Sequence, residues 1–336
     1  MPEKIFEIRV KGKPVQVPSV CLGGRRVISE GKWWKLGSVH DEEWLAEESV
    51  SDPTTFLAEL KNSGLAIDIF TFGQKIPDNQ PRHSYKMEWD NAAAIPLQSF
   101  SGWWDKLPQV TRKNVRRSAK RGVTVREVPF DDSLVHAIVA IYNETLIKQG
   151  IPFAHHGKDF ETVKKELSSM LDRSEFLGAY VENEMIGFIK VVYMRGVAAI
   201  LHIVSMDQHY DKRPANALIT RLIEICEQKK ITHVLYGKFS YGNKTNSPLA
   251  EFKHRMGFEE MLFPRYFVPL TLKGNLVLRL GLHRGLIGSL PSWLIQFLIR
   301  SRAKFYRAAG RLKTGPKNTV VPAAPPEADG NEAGAA

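Results

Sequence analysis

Hydrophobic and polar positions alternate in an ordered way through the second half of the chain. Apolar runs bounded by short polar turns predict three consecutive strands, at Phe176–Glu182, Met185–Arg195 and Val197–Asp207. Apolar residues at helical spacing then run from Ala215 to Cys226, and a further apolar run predicts a strand at Ile231–Tyr236. Three strands in hairpin succession, then a helix and a crossover, predict a mixed, mostly antiparallel sheet.

Other segments predict further strands and the helices that flank this sheet. Val123–Val128 alternates like a strand, whereas Ser133–Lys148 and Lys158–Leu171 carry apolar residues on one helical face. Strand-like segments also occur nearer the N-terminus, at Ile5–Val10, Leu65–Phe72 and Tyr85–Pro96. We interpret several tryptophans of this region as packing between layers: Trp33, Trp34, Trp89, Trp103 and Trp104.

These segments predict an α/β (α+β) protein with a second, N-terminal lobe and a C-terminal helical extension. A basic helix divides the N-terminal part from the sheet, and the last residues are rich in Pro, Ala and Gly, which is typical of disorder. The predicted parts are an N-terminal lobe (1–110), a basic linking helix (111–122), the sheet domain (123–272), a basic amphipathic extension (273–313) and a disordered tail (314–336).

The chain has 336 residues and a formal net charge of +11, and the positive excess is concentrated near the C-terminus. Between Met261 and Val320 there are eleven Lys and Arg residues and no Asp or Glu. This basic, apolar stretch predicts an anionic membrane contact through residues 276–311, with packing on the protein as the open alternative. Two cysteines and an N-terminus unlike a signal peptide favour a cytoplasmic protein, peripheral at the inner face of the membrane.

A second basic cluster lies on the predicted helix Thr111–Arg121. Its six Lys and Arg side chains recur at helical spacing without an acidic neighbour, so they cover about half of the helix surface. Such a helix either faces phosphates or is an ordinary solvated face, and both interpretations stay open. The candidates for acceptor or phosphate binding here are Arg112, Arg116, Arg117 and Lys120.

Two local segments, together with the strand order, carry a resemblance to a known family. Leu249–Phe258 reads as a helix that ends on a Gly-Phe turn, and Pro108–Val125 reads as a basic helix, a glycine and a strand. These features resemble the GNAT acyltransferases, and more closely their two-lobed Fem-like and BioF2-like relatives, over roughly residues 85–270. The resemblance implies a GNAT-like fold for the sheet domain, with a degenerate GNAT-like lobe as one option for the N-terminal part.

The resemblance also implies a donor, acyl-coenzyme A, of which acetyl-coenzyme A is one form. In GNAT proteins two central strands separate around the donor, and its phosphates meet the turn before a helix, where free N–H groups favour anions. The matching positions here are Val204, Ser205 and Met206 on the strand, and Lys212, Arg213, Pro214, Ala215 and Asn216 at the helix start.

The turn itself departs from the family pattern. Of the three signature positions, occupied here by Tyr210, Arg213 and Ala215, only Ala215 fits, because the family has glycine where Arg213 stands. Glycine allows the backbone to approach the phosphates, whereas Arg213 would crowd that approach but could bind phosphate through its guanidinium. Fem-like members that use aminoacyl-tRNA also have a loosened turn, so the donor stays open between the two.

Several residues are candidates for the transfer chemistry. Asp207 and Glu144 could accept a proton from the acceptor amine, although Asp207 could instead cap the following turn and Glu144 could be an exposed helix residue. Lys253 stands where many acetyltransferases have a tyrosine that protonates the leaving group, and where a lysine in Fem-like proteins is associated with phosphorylated substrates. The loop after the last predicted strand adds Tyr241 as a catalytic candidate and Lys238 and Lys244 as phosphate contacts.

The histidines give no support for a metal. His155 and His156 have no Cys or carboxylate partner at metal-ligand spacing, so we expect no metal ion. His202 falls in the middle of a predicted strand, where a hydrogen-bonded core histidine is the favoured interpretation over a catalytic one.

From the resemblance we expect an N-acyltransferase that moves an acyl group from acyl-coenzyme A to an amine of an anionic or phosphorylated acceptor. That acceptor would be a small molecule or a lipid or glycan precursor. One alternative is a Fem-type transferase that uses aminoacyl-tRNA and acts on a cell-envelope precursor, and only this alternative requires tRNA. The other alternative is a GNAT-fold binding protein without catalysis.

Overall fold

The predicted central strands lie inside one twelve-stranded sheet. The computed structural model describes residues 4–10, 13–42, 50–148, 151–240 and 248–284. The strands are β1 (Lys4–Val10), β2 (Lys13–Leu22), β3 (Arg25–Glu30), β4 (Leu36–Val39), β5 (Ile69–Gly73), β6 (Lys86–Pro96), β7 (Val123–Val128), β8 (Ile147–Lys148), β9 (Ile151–Pro152), β10 (Ser174–Val181), β11 (Glu184–Met194), β12 (Val197–Ser205), β13 (His233–Leu235) and β14 (Glu259–Pro269). β8 and β9 form a separate pair, and the large sheet has the order β1-β2-β3-β4-β5-β14-β6-β13-β12-β11-β10-β7.

Helices cover both faces of this sheet. They are α1 (Pro53–Asn62), α2 (Phe100–Lys106), α3 (Gln109–Lys120), α4 (Asp132–Asn143), α5 (Phe160–Leu167), α6 (Pro214–Gln228), α7 (Pro248–Arg255) and α8 (Leu272–Arg279). Single turns of 3-10 helix occur at Leu171–Arg173, Asp207–Lys212 and Leu282–Arg284.

The central strands confirm the predicted fold class. β10, β11 and β12 are joined in antiparallel succession, and β13 returns parallel to β12 after the crossover through α6. β7 has the predicted bounds and pairs with β10 at the edge of the sheet. The protein is therefore a mixed α/β structure with a mostly antiparallel sheet flanked by helices.

α6 packs on the sheet through an apolar stripe. Four of its Leu and Ile side chains are fully buried, and burial of each contributes on the order of 1.5–3 kcal/mol: Leu218, Ile219, Leu222 and Ile223. On the opposite face, α4 and α5 bury Ile138, Val163 and Leu167 against Phe188 of β11.

β6 and β14 connect the first third of the chain to the central strands. β14 lies between β5 and β6, antiparallel to both, and β6 also pairs with β13. Residues up to Leu278 form one compact unit, and Arg279–Ala336 form a second. The division of the first unit at residues 110 and 122 stays a prediction.

Several helix ends differ from the sequence prediction. α4 ends at Asn143 instead of Lys148, because the chain leaves the helix to form the β8–β9 pair. α3 starts after Pro108, which makes no side-chain cap, and its buried residues are Thr111 and Ser118. The N-cap residue of α6 is Arg213, which lies in the left-handed region and makes no side-chain cap.

The interpretation of the tryptophans as core is wrong for two of them. Trp33 is 82% exposed and Trp89 52% exposed, whereas Trp103 is buried. The indole of Trp103 donates to Met256 O at 3.0 Å, which ties α2 to the end of α7. A high density of aromatic residues therefore does not reveal which of them face the core.

The second unit is described only from Arg279 to Arg284, where Leu282–Arg284 form one 3-10 turn. Most of the predicted extension (273–313) and the whole of the predicted tail (314–336) lie outside the described residues. In the part of the chain that the structure describes, no helix is long and apolar enough to span a bilayer.

Candidate active site

β12 and β13 separate in the middle of the sheet. They pair only at residues 197–199 of β12, opposite residues 233–235 of β13. Beyond this point β12 continues beside β11 as far as Ser205, while the chain after β13 follows β6, where Tyr236 N donates to Ala93 O at 2.9 Å. The β12 edge at residues 200–205 therefore faces a gap instead of a neighbouring strand.

A cleft of about 910 Å³ opens at this gap, within the usual size range of ligand pockets. Its walls come from β12, α3, α7, the start of α6 and the β8–β9 region. The cleft is lined by Thr111, Asn114, Lys148, Phe153, His155, Ile203, Val204, Ser205, Asp207, Tyr210, Arg213, Pro214, Ala215, Asn216, Tyr236, Pro248, Leu249, Glu251, Phe252 and Arg255.

Most of the predicted donor residues lie in this cleft. Six of the eight line it: Val204, Ser205, Arg213, Pro214, Ala215 and Asn216. Met206 is buried, and its N–H donates to Ile186 O at 2.9 Å. Lys212 is outside the cleft lining, and its Nζ lies 2.6 Å from His209 Nδ1.

The start of α6 offers fewer backbone donors than a helix N-terminus usually does. Arg213 N donates to Tyr210 O at 3.2 Å, and the N–H groups of Asn216 and Ala217 both donate to Arg213 O. Proline has no N–H, so Ala215 supplies the remaining donor of the first turn. The Arg213 guanidinium lies over the Tyr210 ring at 4.5 Å, and its buried Nε has no hydrogen-bond partner among the described residues.

Asp207 lies at the cleft end of β12 and is paired with a lysine that the sequence analysis did not identify. Lys148 Nζ is 3.0 Å from Asp207 Oδ1 and also donates to Ser205 O at 2.6 Å. Glu144, the other predicted base, is not in the cleft lining. Its carboxylate accepts from the N–H groups of Asp207 and Gln208 at 3.1 and 2.9 Å, and so caps the 3-10 turn before α6.

Lys253 is buried beneath the loop after β13. Its Nζ donates to Lys238 O at 2.8 Å and lies 4.3 Å from the centre of the Tyr236 ring. Burial lowers the pKa of this ammonium group to about 8. Lys253 therefore contacts the protein wall behind Tyr236. Its side chain lines neither the cleft nor the second cavity described next.

A second and larger cavity, a groove of about 1300 Å³, lies towards the N-terminal strands. Strands β1 to β5, the loop before α5 and the middle of β12 form its walls. Five carboxylates and four cations line the groove among the described residues, so its charge is nearly balanced: Glu7, Glu30, Asp41, Glu42 and Glu166, with Lys158, Lys165, Lys238 and Arg265.

The floor of the groove is a chain of buried charges. Arg265 of β14 donates from its guanidinium to Glu42 Oε2 at 2.9 Å and to Asp90 Oδ2 at 2.8 Å. Asp90 also accepts from Lys238 Nζ at 2.9 Å. Burial alone would raise the pKa of the Asp90 carboxyl, but Arg265 and Lys238 hold it below its usual range.

His202 also lines the groove, and the expectation of a hydrogen-bonded core histidine is wrong. In the described part of the chain its ring nitrogens have no hydrogen-bond partner, and its ring meets that of His155 edge-on, with 6.2 Å between centroids. His155 itself borders both cavities.

The basic helix α3 flanks the cleft through Thr111 and Asn114. Arg121 pairs with Asp211 of the turn before α6, and Arg116 lies 5.7 Å from the Trp104 ring. The other four cations of the helix have no acidic partner in the described ranges: Arg112, Lys113, Arg117 and Lys120.

The comparisons with known proteins agree with this geometry. No protein-family model matches the sequence, and no curated protein matches it significantly. A crystal structure of FemX aligns with a TM-score of 0.55 and 10% identity, over 83% of this chain and 90% of the FemX chain. The chain has a fold like that of FemX.

Two further solved structures align at TM-scores below 0.5. The C-terminal domain of a putative lysylphosphatidylglycerol synthetase from Agrobacterium fabrum has a TM-score of 0.49 and 12% identity, over 78% of this chain and 87% of that chain. The L-PGS from Bacillus licheniformis has a TM-score of 0.46 and 15% identity, over 76% and 85% of the two chains. In this chain the strands separate at β12 and β13, where the resemblance to GNAT proteins implied it.

Some residues of the candidate site could not be recognised from the sequence. Lys148 was predicted as the end of a helix, and His155 lies in a loop without a recognisable motif. Tyr241 and Lys244 lie outside the described residues. Within the described ranges, no group of three or more His, Cys, Asp or Glu residues is placed to hold a metal ion.

Proposed function

We propose that this protein is an N-acyltransferase that binds an acyl donor in the cleft and an acceptor amine in the groove. The separation of β12 from β13 carries this proposal, because the strand edge at residues 200–205 opens into a cavity of suitable size. Backbone N–H groups on that edge are fixed donors for a carbonyl oxygen, and such donors stabilise the negative charge that develops during acyl transfer.

A coenzyme A thioester is the favoured donor. Arg213 lines the cleft wall, and its Nε has no hydrogen-bond partner among the described residues, while the N–H of Ala215 adds a backbone donor. Both groups suit a phosphate. The N–H groups of Arg213 and Asn216 already donate to Tyr210 O and Arg213 O. The side chain of Arg213 would therefore carry more of the phosphate binding than in a glycine-containing turn.

The acceptor would enter through the groove with its amine towards His155. A nearly balanced groove does not attract an anion as a whole. The anionic or phosphorylated part of the acceptor would therefore lie nearer the cations of α3 that have no acidic partner among the described residues. A small molecule and a lipid or glycan precursor both satisfy this requirement. The five carboxylates of the groove suit the protonated amine before it enters the site.

The test is transfer and thermal unfolding with acetyl-coenzyme A and longer acyl-coenzyme A thioesters. A donor that binds the folded state raises the unfolding midpoint in proportion to the logarithm of its concentration over its dissociation constant. Arg213→Gln should weaken donor binding about tenfold. Arg221→Gln on α6, which is paired with Glu224 and does not line the cleft, is the matched control and should leave binding nearly unchanged. No midpoint shift and no transfer with any thioester would overturn this choice of donor.

Aminoacyl-tRNA is the second candidate donor, and it is favoured by the four cations of α3 that have no acidic partner in the described ranges. Replacing Arg112, Lys113, Arg117 and Lys120 by Gln should then reduce the slope of log affinity against log salt by about 3. Transfer from charged tRNA that survives this change, with an unaltered salt slope, would remove α3 from the donor site. Binding of either donor without transfer would favour the alternative of a binding protein without catalysis.

Contact of residues 276–311 with an anionic membrane remains a further proposal, which rests on the basic and apolar sequence of that segment. Flotation with anionic vesicles, compared with a chain truncated after Lys273, measures it. Equal flotation of the two chains would contradict the proposal.

A further inference from the structure

His155 occupies a distinctive place between the two cavities. Among the described residues, it is the one that lines both the cleft and the groove. A donor in the cleft and an acceptor in the groove would therefore meet beside this imidazole.

The Nδ1 atom of His155 is held by a chain of charged groups. Lys158 Nζ lies 3.0 Å from His155 Nδ1 and 2.6 Å from Glu166 Oε2. Both members of the ion pair are largely buried, with side-chain exposures of 13% and 17%. An ammonium group is a donor only, so Nδ1 accepts its hydrogen bond, and the proton of the neutral imidazole must be on Nε2.

The surroundings of the ring keep it neutral. Burial, followed by the charge of Lys158, lowers the pKa of His155 to about 4, with Lys148 acting in the same direction and Glu166 against it. The ring lies 4.4 Å from that of Tyr142, 5.3 Å from that of Phe153 and 6.2 Å from that of His202. In the described part of the chain, Nε2 has no hydrogen-bond partner.

We propose that His155 is a neutral hydrogen-bond donor that binds the acyl oxygen through Nε2–H, with Lys158 and Glu166 fixing its tautomer. This inference rests on the proposed function and adds a catalytic residue to it. His155 is unsuited to the role of general base, because the lone pair that a base needs is on Nδ1 and faces Lys158.

In the reaction, the amine nitrogen attacks the acyl carbon, a C–N bond forms, and the carbonyl electron pair moves to the oxygen. His155 Nε2–H and the β12 edge stabilise this oxyanion without giving up a proton. The C=O bond then re-forms as the bond from carbon to the leaving sulfur, or to the ribose oxygen of a tRNA donor, breaks. The amine nitrogen loses one proton, and the leaving sulfur or oxygen gains one, so the overall reaction neither releases nor consumes a proton.

The first test compares transfer by His155→Ala and His155→Gln. Loss of one oxyanion donor lowers kcat about 100-fold, so His155→Ala should show this loss, while the amide of His155→Gln should recover about tenfold of it. Exposed His156 is the matched control, and His156→Ala should transfer at the wild-type rate. Donor-induced shifts of the unfolding midpoint, unchanged in both His155 variants, would show that they fold and bind.

The second test follows the imidazole itself by nitrogen-15 NMR. The wild-type ring should be the Nε2–H tautomer and should not titrate between pH 5 and 9. In Lys158→Met the pKa of His155 should rise, and a pH step should appear in kcat. Lys158 is a positioning residue, and a merely structural role would not create that step.

The outcomes separate the two proposals. If the wild type transfers the acyl group and His155→Ala is equally active, the role of His155 is overturned and the proposed function stays intact. The same holds if the wild-type ring is the Nδ1–H tautomer. A wild-type protein with the Nε2–H tautomer but no transfer from any thioester or charged tRNA would overturn the proposed function, and the catalytic role of His155 with it.

Discussion

The cleft and the groove floor contain ion pairs of similar length in very different surroundings. At the cleft, Lys148 and Asp207 are 3.0 Å apart, with side-chain exposures of 25% and 42%. At the groove floor, Arg265 and Glu42 are 2.9 Å apart, with exposures of 19% and 6%. The hydrated pair can rearrange around a substrate at little cost, whereas the dry pair fixes the positions of β14 and its neighbours. Burial, and not distance, thus separates pairs that build the fold from pairs that are free to act.

The largest expected effect comes from removing the central charge of the groove floor. Arg265→Met leaves Glu42 and Asp90 buried without their shared partner, and should lower the free energy of unfolding by about 3–5 kcal/mol. Arg255→Met at the cleft rim breaks an exposed pair with Glu251 and should cost less than about 1 kcal/mol. Urea unfolding of the two variants measures the contrast, and equal losses would contradict it.

Acid should destabilise the groove through His202. Its folded pKa is lowered to about 3, mainly by burial, against an unfolded value of 6.5. Below pH 6.5 the unfolded chain binds the extra proton, so stability falls as pH drops, by up to about 2 kcal/mol between pH 6.5 and 5. His202→Gln should remove this contribution from unfolding curves measured at both pH values. The same pH dependence in His202→Gln as in the wild type would show that folding does not lower the pKa of His202.

Two buried lysines should differ in what they hold. Lys190 of β11 donates to Leu167 O and Ser169 O at the end of α5, at 2.8 and 2.6 Å, whereas Lys253 donates to Lys238 O beside the cleft. We expect Lys190→Met to cost about 2 kcal/mol, because two carbonyl groups lose their donor, and Lys253→Met to cost at least about 1 kcal/mol for the loss at Lys238 O. Thermal unfolding at pH 7 ranks them. A transfer rate that falls in Lys253→Met far beyond its stability loss would favour the catalytic interpretation of Lys253.

The smallest effect on stability is expected at the cleft end of β12. Lys148→Gln breaks a partly exposed pair and should change the free energy of unfolding by no more than about 0.5 kcal/mol. The same change alters the charge beside Ser205 and Asp207, and should reduce transfer by about tenfold if the donor carbonyl is bound there. Unfolding and transfer rates of Lys148→Gln, measured in parallel, test both expectations. A large loss of stability with unchanged transfer would show that Lys148 stabilises the fold and does not act on the donor.

The central strands could be predicted because each buries a continuous apolar run and is bounded by short turns. β10, β11 and β12 have nearly the predicted bounds for this reason, whereas β7 was predicted from alternating positions and α6 from apolar residues at helical spacing. β2, β3, β4 and β14 were missed, because their strand character depends on neighbours that are distant in sequence, as with β14 between β5 and β6.

The candidate site was predicted in part. Val204, Ser205 and Arg213 follow from the strand end and the helix start, which local pattern reveals. Lys148, His155 and the Glu42–Arg265–Asp90 cluster come together only through tertiary contacts between separate segments. The burial of Lys253 is also a tertiary effect, which its position in the sequence does not reveal.

The position of β14 between β5 and β6 has a consequence for how the chain is made. On the ribosome, β5 and β6 emerge long before residues 259–269 are translated. Until then the sheet lacks the strand that bridges them, and their edges stay open to wrong partners. The N-terminal strands therefore wait for nearly the whole described chain before they can join the central sheet, and a nascent chain stopped before Pro269 should recruit chaperones.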